Sequence, residues 1–208
     1  FVINSPEGVE ALEFMVSLIE KGYVAPGPAS MAPGDALELF QQGRVATLQY
    51  VPAVYERVAA AIEAGAADPT IQLYGMLPPT KEGVAPRLTV TGEEGYALFK
   101  QDDPYKKEIC LEFIEFLASP EHVRLLNQAT VKIPARYAAT YEIEDPEIST
   151  MMGKLAEYPV LDIGKSLEKY ADTRQLFYPE MQAAFLGLKT PQEALDSFVS
   201  KANELIQK

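Results

Sequence analysis

The chain has no tryptophan, one cysteine and one histidine among 208 residues, and 18 basic residues stand against 30 acidic ones. Each shortage removes a class of function. A single cysteine, Cys110, rules out a disulfide within the chain, and its place on the apolar flank of a helical pattern makes it a small buried hydrophobe. One cysteine and one histidine leave too few ligands for most zinc sites, and Ser-His or Cys-His nucleophiles are open only through His122. His122 follows Ser119-Pro120-Glu121 and reads as a helix-start residue. The net charge of -12 lacks the basic footprint that nucleic acid or anionic lipid requires. No run approaches the ~20 apolar residues of a membrane span. No metal, cofactor or catalytic residue is expected.

What is present is a 48% hydrophobic composition, enough for one large domain or two small ones. The chain opens on Phe1-Val2-Ile3-Asn4 with neither a signal peptide nor an initiator methionine in view, which reads as a piece of a longer protein. Ser5-Pro6-Glu7 starts a helix: a serine N-cap, proline at the first helical position, an acid in the first turn. Val9, Leu12, Met15, Val16 and Ile19 line one face, and Lys21-Gly22 ends it. A short helix from Asp35 carries Leu37, Leu39 and Phe40 and stops at Gly43. Residues 44–50 and 71–77 read as strands on either side of an alanine-rich helix over 52–64. The order is an α/β alternation.

The stretch 88–100 then divides the chain. Leu88–Val90 and Tyr96–Phe99 read as two extended runs broken by Gly92-Glu93-Glu94-Gly95, and glycine in a strand pattern marks a bend or a close approach of backbone. Mostly helices follow. Residues 106–117 place Ile109, Phe113, Phe116 and Leu117 on one side. Ser119-Pro120-Glu121 and Asp145-Pro146-Glu147 start two more helices, while 158–172 is mixed in character. A helix over 173–186 contains Pro179, which predicts a kink or a late start. Thr190-Pro191-Gln192-Glu193 is a capping box for the last helix.

Seven segments, in this order, resemble one family. They are 14–23, ending Lys21-Gly22-Tyr23; 36–46, with Phe40 before Gly43-Arg44-Val45-Ala46; Met76-Leu77-Pro78-Pro79; 92–99; 113–121, ending Ser119-Pro120-Glu121; Ile133-Pro134-Ala135-Arg136; and 188–195. Each is weak alone, and together they span nearly the whole chain. The family is the extracellular solute-binding proteins of ABC transporters, the sugar-binding group that includes maltose-binding protein. The resemblance implies an α/β periplasmic-binding-protein fold of type II, present here as most of the C-terminal lobe with a helical remnant of the N-terminal lobe. It implies that residues 1–90 and 146–208 form the C-terminal lobe, that 96–143 belong to the N-terminal lobe, and that 88–96 is a hinge crossover. The middle segment is then expected to pack irregularly or against a neighbouring molecule.

A sugar site needs polar groups for hydroxyls and an aromatic face for the C–H side of the ring, with no nucleophile. The candidates are Gln49, Tyr50, Tyr55, Glu93, Glu94, Tyr96, Arg136, Phe177 and Tyr178. Gln49 and Tyr50 end a strand pattern and Tyr55 opens the next helix, the place where α/β folds put ligands. The family's aromatic near this step corresponds to Ala53 here, with Tyr50 and Tyr55 beside it. Glu93 and Glu94 fall where the family often has glycine and tryptophan. Phe177 and Tyr178 match an aromatic pair of the family, although a helix stripe also describes core. Arg136 either faces the cleft or pairs on the surface.

The resemblance implies a carbohydrate captured by hinge closure, a membrane permease as partner, a monomeric full-length protein, and a periplasmic or extracellular location with a lipid anchor as one form of it. Two rivals stand beside this reading. One is a glycosidase pairing Glu93 with Asp172 or Glu180. The other is a ligand-sensing module of a signalling protein. Adjacent strand residues point to opposite faces, so Glu93 and Glu94 are not by themselves an acid/base pair.

Overall fold

The structure is a computed structural model, and it describes residues 1–89, 95–132, 134, 136–161 and 168–207. Among these, helices dominate: α1 (Pro6–Glu20), α2 (Pro33–Gln41), α3 (Val54–Glu63), α4 (Pro104–Leu117), α5 (Pro120–Thr130), α6 (Pro146–Ala156), α7 (Tyr170–Phe185) and α8 (Pro191–Gln207). A 3-10 turn spans Tyr137–Ala139. Strands β1 (Leu88–Thr89) and β2 (Val160–Leu161) form one parallel pair, with Leu88 opposite Val160 and Thr89 opposite Leu161.

Proline sets where the helices begin. Pro6, Pro33, Pro104, Pro120, Pro146 and Pro191 each occupy the first position of their helix, where the missing N–H forfeits no hydrogen bond. The residue before them supplies the cap: Ser5 accepts from the Gly8 N–H, Asp103 from Tyr105 and Lys106, Ser119 from His122, and Asp145 from Glu147 and Ile148. The second helix departs from expectation. Asp35 is not its first residue but sits in its first turn, where its carboxylate takes the Ala32 N–H at 2.9 Å. Gly22 and Gly43 close α1 and α2 at φ of 70° and 67°, the left-handed conformation that a side chain resists.

The expected strands over 44–50, 71–77 and 96–99 are not strands; all three runs are irregular. Their composition suits a pleated surface, but a strand exists only when a neighbour completes its hydrogen-bond ladder. Among the described residues, strand pairing is confined to β1 and β2.

The chain divides into two compact units, Phe1–Leu48 with Gly164–Lys208, and Gln49–Ile163. In the first, α7 and α8 lie against each other and against α1. Leu12, Met181, Ala184, Ala194 and Leu195 are buried there, with Val9, Val16, Phe177 and Phe185 packed around them. Two of the five are leucines at helical spacing from further apolar residues, so the sequence period maps directly onto this core. In the second unit Val131, Ile148 and Met152 are buried, with Tyr55, Ile143, Met151 and Leu155 around them. Val131 adopts φ 48° as the C-cap of α5, a left-handed conformation tolerated at a β-branched residue because its side chain is buried.

Helix α4 buries no residue, although its sequence predicts one apolar side, and Cys110, expected to be buried, is only half-buried. Phe113 is 59% exposed and Phe116 54%, and Ile109 is exposed beside them; Leu117 is half-buried. The two phenylalanine rings stack on each other at 6.5 Å. Amphipathic spacing creates a face and does not supply what covers it.

Candidate functional site

The sequence candidates fall into both units. In the second, Gln49 is exposed and Tyr50 half-buried on the irregular run before α3. Arg57, at the end of the first turn of α3, reaches back so that its Nη1 donates to the Tyr50 hydroxyl at 3.0 Å. The guanidinium carbon lies 5.7 Å from the ring centroid, near the outer limit for attraction to the ring face, so the hydrogen bond is the stronger contact. Arg57 is a partner that sequence reasoning did not select; a spacing of seven residues across a helix start gives no simple signal.

Tyr55 sits in the first turn of α3 with its ring against the Val131–Ile148–Met152 core. Its hydroxyl is inaccessible and has no hydrogen-bond partner among the described residues. Burial, followed by the nearby charges of Asp145 and Glu147, raises its pKa above the ordinary tyrosine value. Gly75 explains the fit: a Cβ there would lie 2.7 Å from the Tyr55 hydroxyl and 2.4 Å from the Met151 sulfur. Beside this contact an open groove of about 530 Å³ runs between Tyr74, Gly75 and Leu77 on one side and Pro146, Glu147, Thr150, Met151 and Lys154 of α6 on the other.

Tyr96 is exposed, and Arg136 is exposed immediately before the 3-10 turn. Glu93 and Glu94 lie outside the described residues. The structure thus brings Tyr50 next to Arg57 and Tyr55 next to Gly75, and it gives Gln49, Tyr96 and Arg136 solvent-facing positions.

The first unit holds Phe177 and Tyr178 on α7. Adjacent helical residues differ by about 100° in direction, and the two rings separate accordingly. Phe177 is half-buried and meets the edge of Phe198 at 5.1 Å. Tyr178 is 43% exposed, with the Arg174 guanidinium 5.6 Å from its ring centroid. Arg174 is four residues earlier on the same helix, a spacing that could have marked it in the sequence. Tyr178 with Arg174 presents an aromatic face, a hydroxyl and a cation at one exposed edge.

Two residues further on, Glu180 is only 3% exposed. Its Oε2 accepts from Lys189 Nζ at 2.5 Å, and its Oε1 accepts from Lys201 Nζ at 2.6 Å and from the Ser197 hydroxyl at 2.9 Å. Burial by itself would raise its pKa; the hydrogen bonds from Lys189, Lys201 and Ser197, together with the Lys201 charge, overcome that and hold it at about 2. Such a carboxylate carries no proton at neutral pH and has both oxygens occupied. This removes Glu180 from the role of glycosidase acid or base considered above.

Ser119 and His122 also meet, with Oγ and Nδ1 2.7 Å apart. The same Ser119 oxygen takes the His122 backbone N–H, and the imidazole lies 3.8 Å from the Phe116 ring. This is helix-start geometry, as the sequence predicts for His122. No group of three or more His, Cys, Asp or Glu side chains suited to a metal occurs among the described residues.

Solved structures place this backbone. The chain superposes over 98% of its length on 51% of maltose-bound MalE3 of T. maritima, with TM-score 0.67 and 21% identity. It also matches a Synechococcus sp. MITs9220 protein assigned as an oligosaccharide periplasmic-binding protein, over 98% of this chain and 53% of that one, with TM-score 0.69 and 14% identity. The fold is that of the periplasmic binding proteins, and the chain spans about half the length of these structures.

The chain belongs to the bacterial extracellular solute-binding protein family, whose model matches residues 2–150. Among curated relatives, the sn-glycerol-3-phosphate-binding periplasmic protein UgpB of Salmonella paratyphi A is 28% identical over 136 residues, 60% of this chain and 30% of that protein. UgpB of Escherichia coli K12 is 26% identical over 145 residues, 64% of this chain and 33% of that protein. The matched segment is therefore about a third of these relatives. The relatives named here are binding proteins.

Proposed function

We propose that the chain is part of the solute-binding component of an ABC importer, which captures a carbohydrate between two lobes that close about a hinge. The match of the family model to residues 2–150 carries this reading. In it, residues 1–90 and 146–208 form one lobe, 96–143 contribute to the other, and 88–96 cross between them. The ligand meets Tyr50, Tyr55 and Tyr178 through aromatic faces, and Gln49, Tyr96, Glu93, Glu94 and Arg136 through polar groups, while Phe177 packs inward on Phe198. The partner is a membrane permease, which reads the closed form. The protein works in the periplasm or outside the cell, free or lipid-anchored, and as a monomer. Among the described residues no helix is long and apolar enough to cross a membrane.

One observation favours a second ligand class. The exposed Arg174–Tyr178 edge offers a cation beside an aromatic face, which suits a polyol carrying a phosphate better than a neutral sugar. The relatives' names, which specify sn-glycerol 3-phosphate, point the same way.

Thermal-shift titration separates the two. The chain joined to the half of the fold that its solved relatives add is titrated with maltose, longer glucans, glycerol and sn-glycerol 3-phosphate. A rise in Tm with any of the glucans supports the carbohydrate reading, and a rise with the phosphate ester alone selects the second class. A rise only with amines or peptides refutes both. The 208-residue chain by itself is expected to show no more than a marginal shift, because one side of the clamp is missing.

A further inference from the structure

We propose that Glu180 is a positioning residue: its buried carboxylate, held by Lys189, Lys201 and Ser197, fixes the turn of α7 that presents Tyr178 beside Arg174. The role of Tyr178 in ligand contact rests on the function proposed above; the positioning itself does not.

The need for a positioning device comes from Pro179. It lies inside α7 and has no N–H to give the Gln175 carbonyl, so the helix loses a hydrogen bond at the point where Tyr178 projects. The two sides of that break are anchored separately. On the N-terminal side, Thr173 is 2% exposed and its hydroxyl donates to the Tyr170 carbonyl at 2.8 Å, while Phe177 packs edge-on against Phe198 of α8. On the C-terminal side, the first residue after the proline is Glu180. Three donors from α8 and the loop before it engage both of its oxygens, and Lys189 also donates to the Ser197 hydroxyl at 3.3 Å.

Helix geometry turns these anchors into a direction. At about 100° per residue, Thr173, Phe177, Glu180, Met181 and Ala184 fall within one sector, and Tyr178 stands roughly 100° from Phe177. With Phe177 and Glu180 both held inward, Tyr178 can point only outward, within reach of Arg174. Stability does not account for the choice of a charge here. An apolar side chain in a buried ion-pair site is often as stable or more so, whereas charged hydrogen bonds to both carboxylate oxygens define a single side-chain orientation.

The test reads the ring and not the ligand. The full chain is made with fluorotyrosine at its 11 tyrosines, and the Tyr178 fluorine resonance is assigned by its loss in Tyr178→Phe. Glu180→Gln and Lys201→Met are expected to move or split that resonance by at least its own linewidth. Lys201→Arg, which keeps the charge and a donor, should restore it. Leu37→Ala, which destabilises the same unit through α2, should leave it in place. If Glu180→Gln does not fold, Lys201→Met gives the same reading with the Lys189 contact retained. A Tyr178 resonance unmoved in a folded clamp variant overturns the proposal, as does an equal displacement in Leu37→Ala. Ligand titration of the same variants, in the chain joined to the half of the fold that its solved relatives add, then distinguishes the two claims. A displaced resonance with affinity lowered about tenfold supports both. A displaced resonance with unchanged affinity leaves the positioning standing and refutes Tyr178 as a ligand contact.

Discussion

Protonating or removing the Glu180 carboxylate should destabilise the first unit in a pH-dependent way. The folded-state pKa of about 2 lies well below the 4.5 of an unperturbed glutamate, so the unfolded chain binds this proton more tightly than the folded one. The contribution to stability is therefore fully present above about pH 4.5. It declines as the pH falls and is gone once the pH passes below about 2. At face value the difference corresponds to about 3 kcal/mol. The lysine side chains are 35% and 53% exposed, so solvent and salt weaken their charges, and roughly 2–3 kcal/mol is the expected loss in Glu180→Gln at pH 7. Glutamine is chosen because it keeps the shape and an acceptor for Ser197, and because the half-exposed lysines can return to water.

The assay is urea denaturation of wild type and Glu180→Gln, followed by circular dichroism at 222 nm, at pH 7, 5, 3 and 2. Every other carboxylate is present in both proteins, so the difference between the two curves reports the loss of this group. It should hold constant from pH 7 to 5, shrink at pH 3 and approach zero near pH 2. A gap below about 0.5 kcal/mol at pH 7, within the range of ordinary surface substitutions, would refute the claim that the clamp holds an ionised carboxylate. So would a gap that persists undiminished at pH 2.

Three further outcomes are expected. Tyr55→Phe removes a buried hydroxyl that has no partner among the described residues, so stability should be unchanged or rise by about 1 kcal/mol in urea titration, whereas a clear loss would mean the hydroxyl is bonded. Gly75→Ala forces a Cβ against the Met151 sulfur and the Tyr55 hydroxyl and should cost roughly 1–3 kcal/mol, measured as a lower urea midpoint, and Gly75→Ala combined with Tyr55→Phe should recover part of it. Leu195→Ala empties a site that is 2% exposed between α1, α7 and α8 and should cost about 2–5 kcal/mol, with faster amide exchange along α8 as the local readout.

The sequence announces its helices through their first turns. Ser5-Pro6-Glu7, Ser119-Pro120-Glu121, Asp145-Pro146-Glu147 and Thr190-Pro191-Gln192-Glu193 all begin helices in the structure, and in the last the Glu193 carboxylate takes the Thr190 N–H at 2.8 Å. These signals work because cap and helix are a few residues apart. Strands carry no comparable local signal. The runs 44–50 and 71–77 have strand composition, yet pairing depends on a partner elsewhere, and the strands that do pair are 72 positions apart at Leu88 and Val160. The apolar side of α4 follows the same rule: its residues were legible, and its exposure was not.

The same distinction governs the site. Phe177 and Tyr178 are adjacent, and in a sequence they are one aromatic pair of equal promise. The helix separates them by a quarter turn or more, sending one into Phe198 and the other out beside Arg174. A period count anchored on Met181 and Ala184 would have made that separation, since both lie on the buried side. Glu180 resists such a count. It falls on the apolar face, where an isolated carboxylate would be costly, and it reads as a candidate acid only until its neighbours are known. Lys189 and Lys201 are 9 and 21 residues away, and nothing in their spacing to Glu180 marks them as its partners. Their convergence depends on α8 folding back along α7 through the turn at 186–190. A carboxylate that looks available for chemistry is thereby converted into a fixed anion that orients the helix beside it.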